Sequence, residues 1–398
     1  MERSVPDAEW HAFGRERPAF MSIQTALAVG GEKGRLMRPT RASAGPRRLQ
    51  RAEPAKPTGP GVKATIRNVA KLAGVAPSTV SHYLNRTAQL APETAQNVER
   101  AIAALDYRVN WGARSLRLKR THSIGLIIPN INTPYFGELA GVIENVLWAR
   151  AYQMLLCISE RDPDRELSHF DTLVSRQVDG ILMVYNQERA DRAEQTRSPV
   201  PVVFLDRAVP GAPSVTTNNH LGGKLAAEHL VSSGHRRIAL LCGEPAIRNV
   251  ADRLAGFHDV LARHGLRVPP ERVLDGLHDL ELGLRVGELF RKRPHPTAIF
   301  ATSDIVAIGA WSELMRRGLR VPADVSLIGF DDIQMSRCLV PPLTTVAQTG
   351  LMIGRQAVEL LIDLINRKIQ PLDAARTHVE IAPALKVRGS VATPPRRK

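Results

Sequence analysis

From Thr121 to about Thr393 the chain alternates short apolar runs with longer stretches whose apolar positions recur every three to four residues. The runs SIGLIIP (123–129), YQMLLCIS (152–159), DGILMVY (179–185), VPVVFLD (200–206), RRIALLCG (236–243), TAIFAT (297–302) and VSLIGFDD (325–332) predict buried parallel strands. Helical patterns lie between them, among them 136–150, 221–233 and 253–264. This repeat is the βα unit of a doubly wound α/β sheet, and about 275 residues of it are too many for one sheet. Two α/β lobes are expected, with a ligand in the cleft beyond the carboxyl ends of the strands. A helix over 351–365 and a strand-like 380–391 help to complete the lobes and a dimer contact.

Ahead of this body the pattern differs. Residues 1–62 show no sustained period and accumulate Arg, Ala, Gly and Pro, so they read as a disordered leader. Its end at Val62, directly before the first well-formed element, is what an upstream start codon chosen in error would produce. Thr65 then caps a predicted helix over 66–73, Gly74 breaks it, Pro77 opens a second helix ending near Leu84, and Pro92 opens a third with Val98, Ile102 and Leu105 on one face. The expected layout is a leader (1–62), a three-helix domain (63–108), a linker (109–121), the two-lobed body (122–393) and a basic tail (394–398).

Charge changes the picture once it is located. The net +15 divides unevenly: residues 1–64 carry twelve Lys and Arg against six Asp and Glu, and residues 65–121 carry nine against three. The other 277 residues are nearly neutral apart from Arg396, Arg397 and Lys398. A basic front before a neutral body fits a protein whose one end meets a polyanion. Cys157, Cys242 and Cys338 form no C-x-x-C pair, which suits buried thiols in a reducing compartment and gives no metal or cofactor site. There is no apolar run of about 18 residues, and 26–31 is a poor signal peptide behind acidic Glu2, Asp7, Glu9 and Glu16. The expected location is the cytoplasm.

The segment IRNVAKLAGVAPSTVSHYLN (66–85) carries the chemistry. Small Ala70 sits where two helices cross, Gly74 lies in the turn four residues later, and Val69, Val75, Val80 and Leu84 point inward, the spacing of a helix-turn-helix. Ser78, Thr79 and His82 then fall on the outer face of the second helix, where a recognition helix meets base edges in the major groove. At this point the chain resembles the LacI/GalR family of bacterial transcriptional regulators. The motifs are T-I-R-N-V-A-K-L-A-G-V, S-T-V-S-H-Y-L-N, N-W-G-A-R-S-L-R, S-I-G-L-I-I-P-N, V-D-G-I-L-M-V, G-H-R-R-I-A-L-L-C-G, R-L-A-G-F, I-G-F-D-D-I and P-P-L-T-T-V-A-Q, in family order from Thr65 to about Thr393.

The resemblance implies that Ser78, Thr79 and His82 read bases while Thr65, Ser81, Asn85 and Thr94 hold phosphates. His82 stands where many members carry Arg, Ala76 replaces a usual Ser, and Tyr83 a common Val. It also implies that Asn110, Ala113, Arg114, Ser115 and Leu116 form a hinge helix that orders on DNA and pushes Leu116 into the minor groove, kinking the duplex. Gly112 and Val109, the latter at a frequent Pro position, make that order more dependent on DNA.

For the body the resemblance implies a periplasmic-binding-protein-like sensor with Tyr135, Phe136, Asp206, Arg253, His278, Ser303, Asp304 and Asp331 in the cleft. Carboxylates and a guanidinium offer the hydrogen bonds that polyols require, and aromatic rings stack on sugar or base faces. Asp304 suits a helix cap equally well, and Phe136 a core position. His278 replaces a frequent aromatic and Ser303 a common Asn, which leaves the ligand class open.

Two other functions share parts of this pattern. A transport receptor shares the body fold but needs export and has no use for a helix-turn-helix. An enzyme lacks support, because G-x-x-x-x-G-K-[ST], G-x-S-x-G and H-E-x-x-H are all missing and VGGEKG (29–34) follows no strand. The expectation is a non-enzymatic, homodimeric repressor of double-stranded operator DNA controlled by a sugar or related metabolite, without a leucine heptad tail for tetramers.

Overall fold

The computed structural model describes residues 64–85, 88–108, 120–184, 198–276, 279–348, 350–368 and 377–394, and the chain divides into two compact units at Asp106/Tyr107. The first unit holds three helices, α1 (Ile66–Ala73), α2 (Pro77–Asn85) and α3 (Pro92–Ala104). Thr65 caps α1: its hydroxyl accepts from the Asn68 N–H at 3.3 Å, and its own N–H donates to Asn68 Oδ1 at 2.9 Å. Gly74 ends α1 in the left-handed region at φ 68°, where a residue without Cβ pays no steric penalty. The turn lets α2 cross α1, and Val69, Ala70, Val80, Val98 and Ala101 close a small core.

The second unit contains two six-stranded sheets. In chain order its elements are β1 (Ser123–Ile128), α4 (Pro134–Trp148), β2 (Gln153–Ile158), α5 (Pro163–Ser175), β3 (Gly180–Val184), β4 (Val202–Leu205), β5 (Ser214–Thr217), α6 (Asn219–Ser232), β6 (Ile238–Cys242), α7 (Arg248–Arg263), β7 (Val273–Asp275), α8 (Leu280–Leu284), β8 (Ala298–Ala301), α9 (Asp304–Arg316), β9 (Ser326–Asp331), β10 (Thr344–Ala347), α10 (Gly350–Ile365), β11 (His378–Ile381) and β12 (Ala384–Lys386). The first sheet runs β11-β5-β4-β3-β1-β2 and the second β12-β10-β9-β8-β6-β7; all pairings are parallel except β10 with β12. Each lobe is a doubly wound sheet, as the apolar runs predict.

The chain crosses between the lobes three times: after β5, between β10 and α10, and between β11 and β12. The crossings lie together, with the Asn218 N–H donating to the Ile381 carbonyl at 3.0 Å and Thr217 Oγ1 to the Gln348 carbonyl at 3.5 Å. The expected continuous strand over 380–391 is thus split, because Pro383, which has no N–H for a ladder, lies in the third crossing. A second correction concerns β2. Its run reads as buried, but it is an edge strand paired only to β1, and Leu156 is exposed.

Three strands escape the apolar pattern. In β5 (SVTT) and β10 (TTVA) every residue is buried although half or more are polar. Their hydroxyls are satisfied locally: Thr345 Oγ1 donates to Asp304 Oδ1 at 2.6 Å, and Thr344 Oγ1 accepts from the Arg388 N–H at 2.9 Å. Short β7 (VLD) carries too little pattern to stand out.

Two helices of the second lobe meet at glycines. A Cβ on Gly223 of α6 would lie 1.9 Å from the Arg253 carbonyl oxygen of α7, and one on Gly256 would lie 1.9 Å from the His220 carbonyl oxygen. This contact seats the Arg253 backbone, so Gly223→Ala is expected to push α7 away and cost about 3 kcal/mol. Thermal unfolding checks it, and an unchanged Tm would refute the tight seat.

Candidate effector cleft and DNA-reading helix

On the small unit, Ser78 and His82 are exposed on α2, while Thr79, Ser81 and Thr94 are half-buried. Ala76, lacking a hydroxyl, leaves the first turn of α2 closed by its own carbonyl, which accepts from the Thr79 N–H at 3.0 Å and the Val80 N–H at 3.3 Å. Thr65 is exposed, with its hydroxyl engaged in the α1 cap. Asn85 is the last residue of α2. Asn110, Ala113, Arg114, Ser115 and Leu116 lie outside the described residues, as does His278.

In the two-lobed unit a cleft of about 540 Å³, mouth included, opens between the lobes. The first lobe lines it with Thr133, Tyr135, Phe136, Arg161 and Asp206, and the second with Ile247, Asn249, Val250, Arg253, Ser303 and Asp331; Gln348, in the second crossing, completes the wall. The site lies beyond the carboxyl ends of β1, β4, β6, β8, β9 and β10, where loops can converge without breaking a ladder. An Asx-type bond from the Thr133 N–H to Asn130 Oδ1 at 2.8 Å shapes the turn that delivers Tyr135 and Phe136 at the start of α4.

Arg253 is the fixed centre. It is 4% exposed, Nε donates to Asn219 Oδ1 at 2.8 Å, Nη1 donates to the Thr302 carbonyl at 2.6 Å, and Nη1 lies 3.6 Å from Asp331 Oδ1. Its guanidinium stacks on the Phe330 ring, 3.8 Å from the centroid. Gln348 Nε2 donates to Asp331 Oδ1 at 2.6 Å. Asp206 and Asp331 both adopt positive φ, 67° and 114°, which is strained backbone for a residue with a Cβ and is commonly concentrated at binding sites.

Burial dominates the electrostatics. It pushes Asp331 up to about 6, against the opposing pull of Arg253 and Gln348. It also raises Asp206, with Arg253 and an Asn249 hydrogen bond holding it back. The Tyr135 phenol is raised well above its ordinary value by burial and by the carboxylates of Asp206 and Asp331.

Among the described residues, five buried side-chain polar atoms lack a hydrogen-bond partner, and four of these belong to lining residues: Tyr135 OH, Asp206 Oδ1, Ser303 Oγ and Gln348 Oε1. Buried polar atoms are normally paired, so a cluster of unpaired ones around one cavity marks a place built to receive hydrogen bonds.

The structure brings together six of the eight residues named for the cleft: Tyr135, Phe136, Asp206, Arg253, Ser303 and Asp331. Asp304 is a correction. It is fully buried at the start of α9, Oδ1 accepting from Thr345 Oγ1 and Oδ2 from the Ile333 N–H at 3.0 Å, so it braces the second lobe and does not line the cleft. Sequence reading missed Asn249, Gln348 and the Arg253 supports Asn219 and Phe330. Gln348 lies within the quoted P-P-L-T-T-V-A-Q motif, and Asn249 carries no comparable signal.

A helix-turn-helix on one unit and a two-lobed α/β receptor with an interlobe cleft on the other define a ligand-controlled DNA-binding regulator. Residues 65–110 match bacterial regulatory proteins of the lacI family, and residues 227–391 match a periplasmic binding protein-like domain. The HTH-type transcriptional repressor PurR of Haemophilus influenzae (strain PittEE) is 37% identical over 333 residues, covering 82% of this chain and 98% of that protein. The lac repressor dimer bound to operator and the anti-inducer ONPF superposes with a TM-score of 0.75 at 27% identity, covering 83% of this chain and all of that one. A LacI family regulator from Enterococcus faecium with bound ribose gives a TM-score of 0.61 at 28% identity, covering 68% and 99%. The chain belongs to the LacI family of bacterial regulatory proteins.

Proposed function

We propose that this chain is a cytoplasmic, homodimeric repressor that binds a near-palindromic operator and is controlled by a small metabolite held between the lobes of 122–393. In this reading 63–108 is the reader and 109–121 the hinge. Ser78, Thr79 and His82 contact bases, Thr65, Ser81, Asn85 and Thr94 contact phosphates, and Asn110 to Leu116 enter the minor groove. The observation that carries the sensor role is the group of four unpaired buried polar atoms facing one interlobe cavity, on a chain that also carries a helix-turn-helix. No helix among the described residues is long and apolar enough to cross a membrane, and the lac repressor comparison, a dimer on operator, supports the dimeric mode.

Control requires that the ligand bind one lobe arrangement better than the other. Operator affinity measured with and without sugars tests this; a response of at least about fivefold is expected, in keeping with usual coupling energies. An operator-binding protein that never responds to a ligand bound in the cleft would refute it.

Acidity gives a second handle. Asp331, at about 6, faces Arg253, Gln348 and Asp206, with Asp304 beneath it. A ligand donating hydrogen bonds to Asp206 and Asp331, the two carboxylates that line the cleft, favours their ionised forms and lowers their pKa, so binding releases protons. Its affinity is therefore full above about pH 6 and declines as pH falls through that value. Calorimetric titration at several pH values checks this, and tighter binding in acid would contradict it.

A further inference from the structure

We propose that the second lobe carries a separate surface for the phosphate backbone of duplex DNA, built from the loops that precede β6, β7 and β8. This goes beyond the proposed function, in which DNA meets only 63–121. The three strands pair in parallel, so the loops before them gather at the end of the sheet opposite the cleft. Residues 233–237, 264–272 and 291–297 hold seven basic side chains, Arg236, Arg237, Arg267, Arg272, Arg291, Lys292 and Arg293, against one acid, Glu271. The two-lobed body is nearly neutral as a whole, so this excess is a matter of placement. Hydrogen bonds tie the loops together. Arg237 Nε donates to the His295 carbonyl at 3.0 Å, Arg272 Nη2 to the Pro294 carbonyl at 3.1 Å, and the Thr297 N–H to the Arg237 carbonyl at 2.8 Å.

Arg237 and Arg272 thus have a use within the fold. Arg236, Arg267, Lys292 and Arg293 are exposed and make no ion pair among the described residues, so nothing in the lobe offsets their charge. The described chain ends at the same place: His235 Nε2 donates to the Ala392 carbonyl at 2.8 Å, and a Cβ on Gly234 would lie 3.4 Å from the Pro394 ring. From there the sequence goes on into Arg396, Arg397 and Lys398. The make-up of the loops selects among polyanions. Six of the seven cations are Arg, whose fork matches phosphate oxygens two at a time. The loops hold no Phe, Tyr or Trp on which unpaired bases could stack, which disfavours a single strand. Their Leu266 and Val268 are half-buried, leaving no apolar side chain to enter a membrane surface. A protein whose other unit holds a duplex also meets DNA phosphates at high effective concentration.

The test measures acetylation rates of single lysines in the full chain, with and without a duplex of unrelated sequence, at about 50 mM salt. Lys292 is expected to react about fivefold more slowly with the duplex present and to recover at about 200 mM salt, while Lys224, on α6 away from these loops, is unchanged. Lys71 on α1 reports on the helix-turn-helix separately. Arg236→Gln, Arg267→Gln and Arg293→Gln together keep Lys292 as the reporter and break no ion pair, so an unchanged Tm is expected with most of the protection lost. Removing the same charge from exposed positions of the first lobe, by Arg165→Gln, Arg176→Gln and Arg355→Gln, is expected to leave the protection in place. Lys292 left unprotected by the duplex, protection that survives the first triple variant, or stronger protection by polyglutamate or phosphatidylserine vesicles than by the duplex would overturn the proposal.

Discussion

Arg253→Ala is expected to abolish the effector response, by at least a hundredfold in effector affinity, while leaving operator binding intact. Removing the guanidinium leaves Asp331 buried without its cation and takes donors from Asn219 Oδ1 and the Thr302 carbonyl. Breaking such a pair from one side costs about 3–5 kcal/mol, more than replacing both partners, because a desolvated charge remains. A lowered Tm is therefore expected beside the lost response. Arg253→Lys keeps the charge but not the planar fork, and is expected to fold better while still losing most of the affinity. Operator titrations with and without effector read both variants; a folded variant that still responds, or one that loses operator binding, would remove Arg253 from the cleft's mechanism.

Leu116→Ala is expected to weaken binding to the specific operator at least tenfold more than binding to unrelated duplex. The expectation comes from the family hinge motif, since residue 116 lies outside the described residues. A short apolar wedge unstacks a base step at a cost of a few kcal/mol, recovered through contacts that only a kinkable site permits. Alanine loses the wedge but keeps the phosphate contacts that support non-specific binding. Competition titrations at fixed salt measure the two affinities, and an equal loss on both DNAs would refute the wedge.

The parts that were legible in the sequence share a physical cause. Strands β1, β3, β4, β6, β8 and β9 are buried almost throughout, so their apolar runs announced them. Helix α1 was legible to its ends because Thr65 and Gly74 punctuate it chemically. Strands β5 and β10 were not, since their buried threonines are tolerated only through hydroxyl partners that folding supplies.

The cleft divides similarly. Arg253 and Asp331 come from distinctive motifs, and both line the cleft with Nη1 and Oδ1 3.6 Å apart. Asp304 shares their chemistry but turns into the lobe, because Thr345 and the Ile333 N–H, distant in sequence, capture both of its oxygens. Gln348 was missed for the opposite reason: an ordinary amide becomes part of the site only because the chain crosses between lobes there.

In the proposed function the small unit reads a specific operator as a dimer. Selection of duplexes from a random library by the full chain, at a stated near-physiological salt, tests this, with and without sugars and again with cell extract. Enrichment of a near-palindrome with a flexible pyrimidine–purine step at its centre is expected. Folded protein that enriches no motif under any of these conditions would rule out a sequence-specific reader.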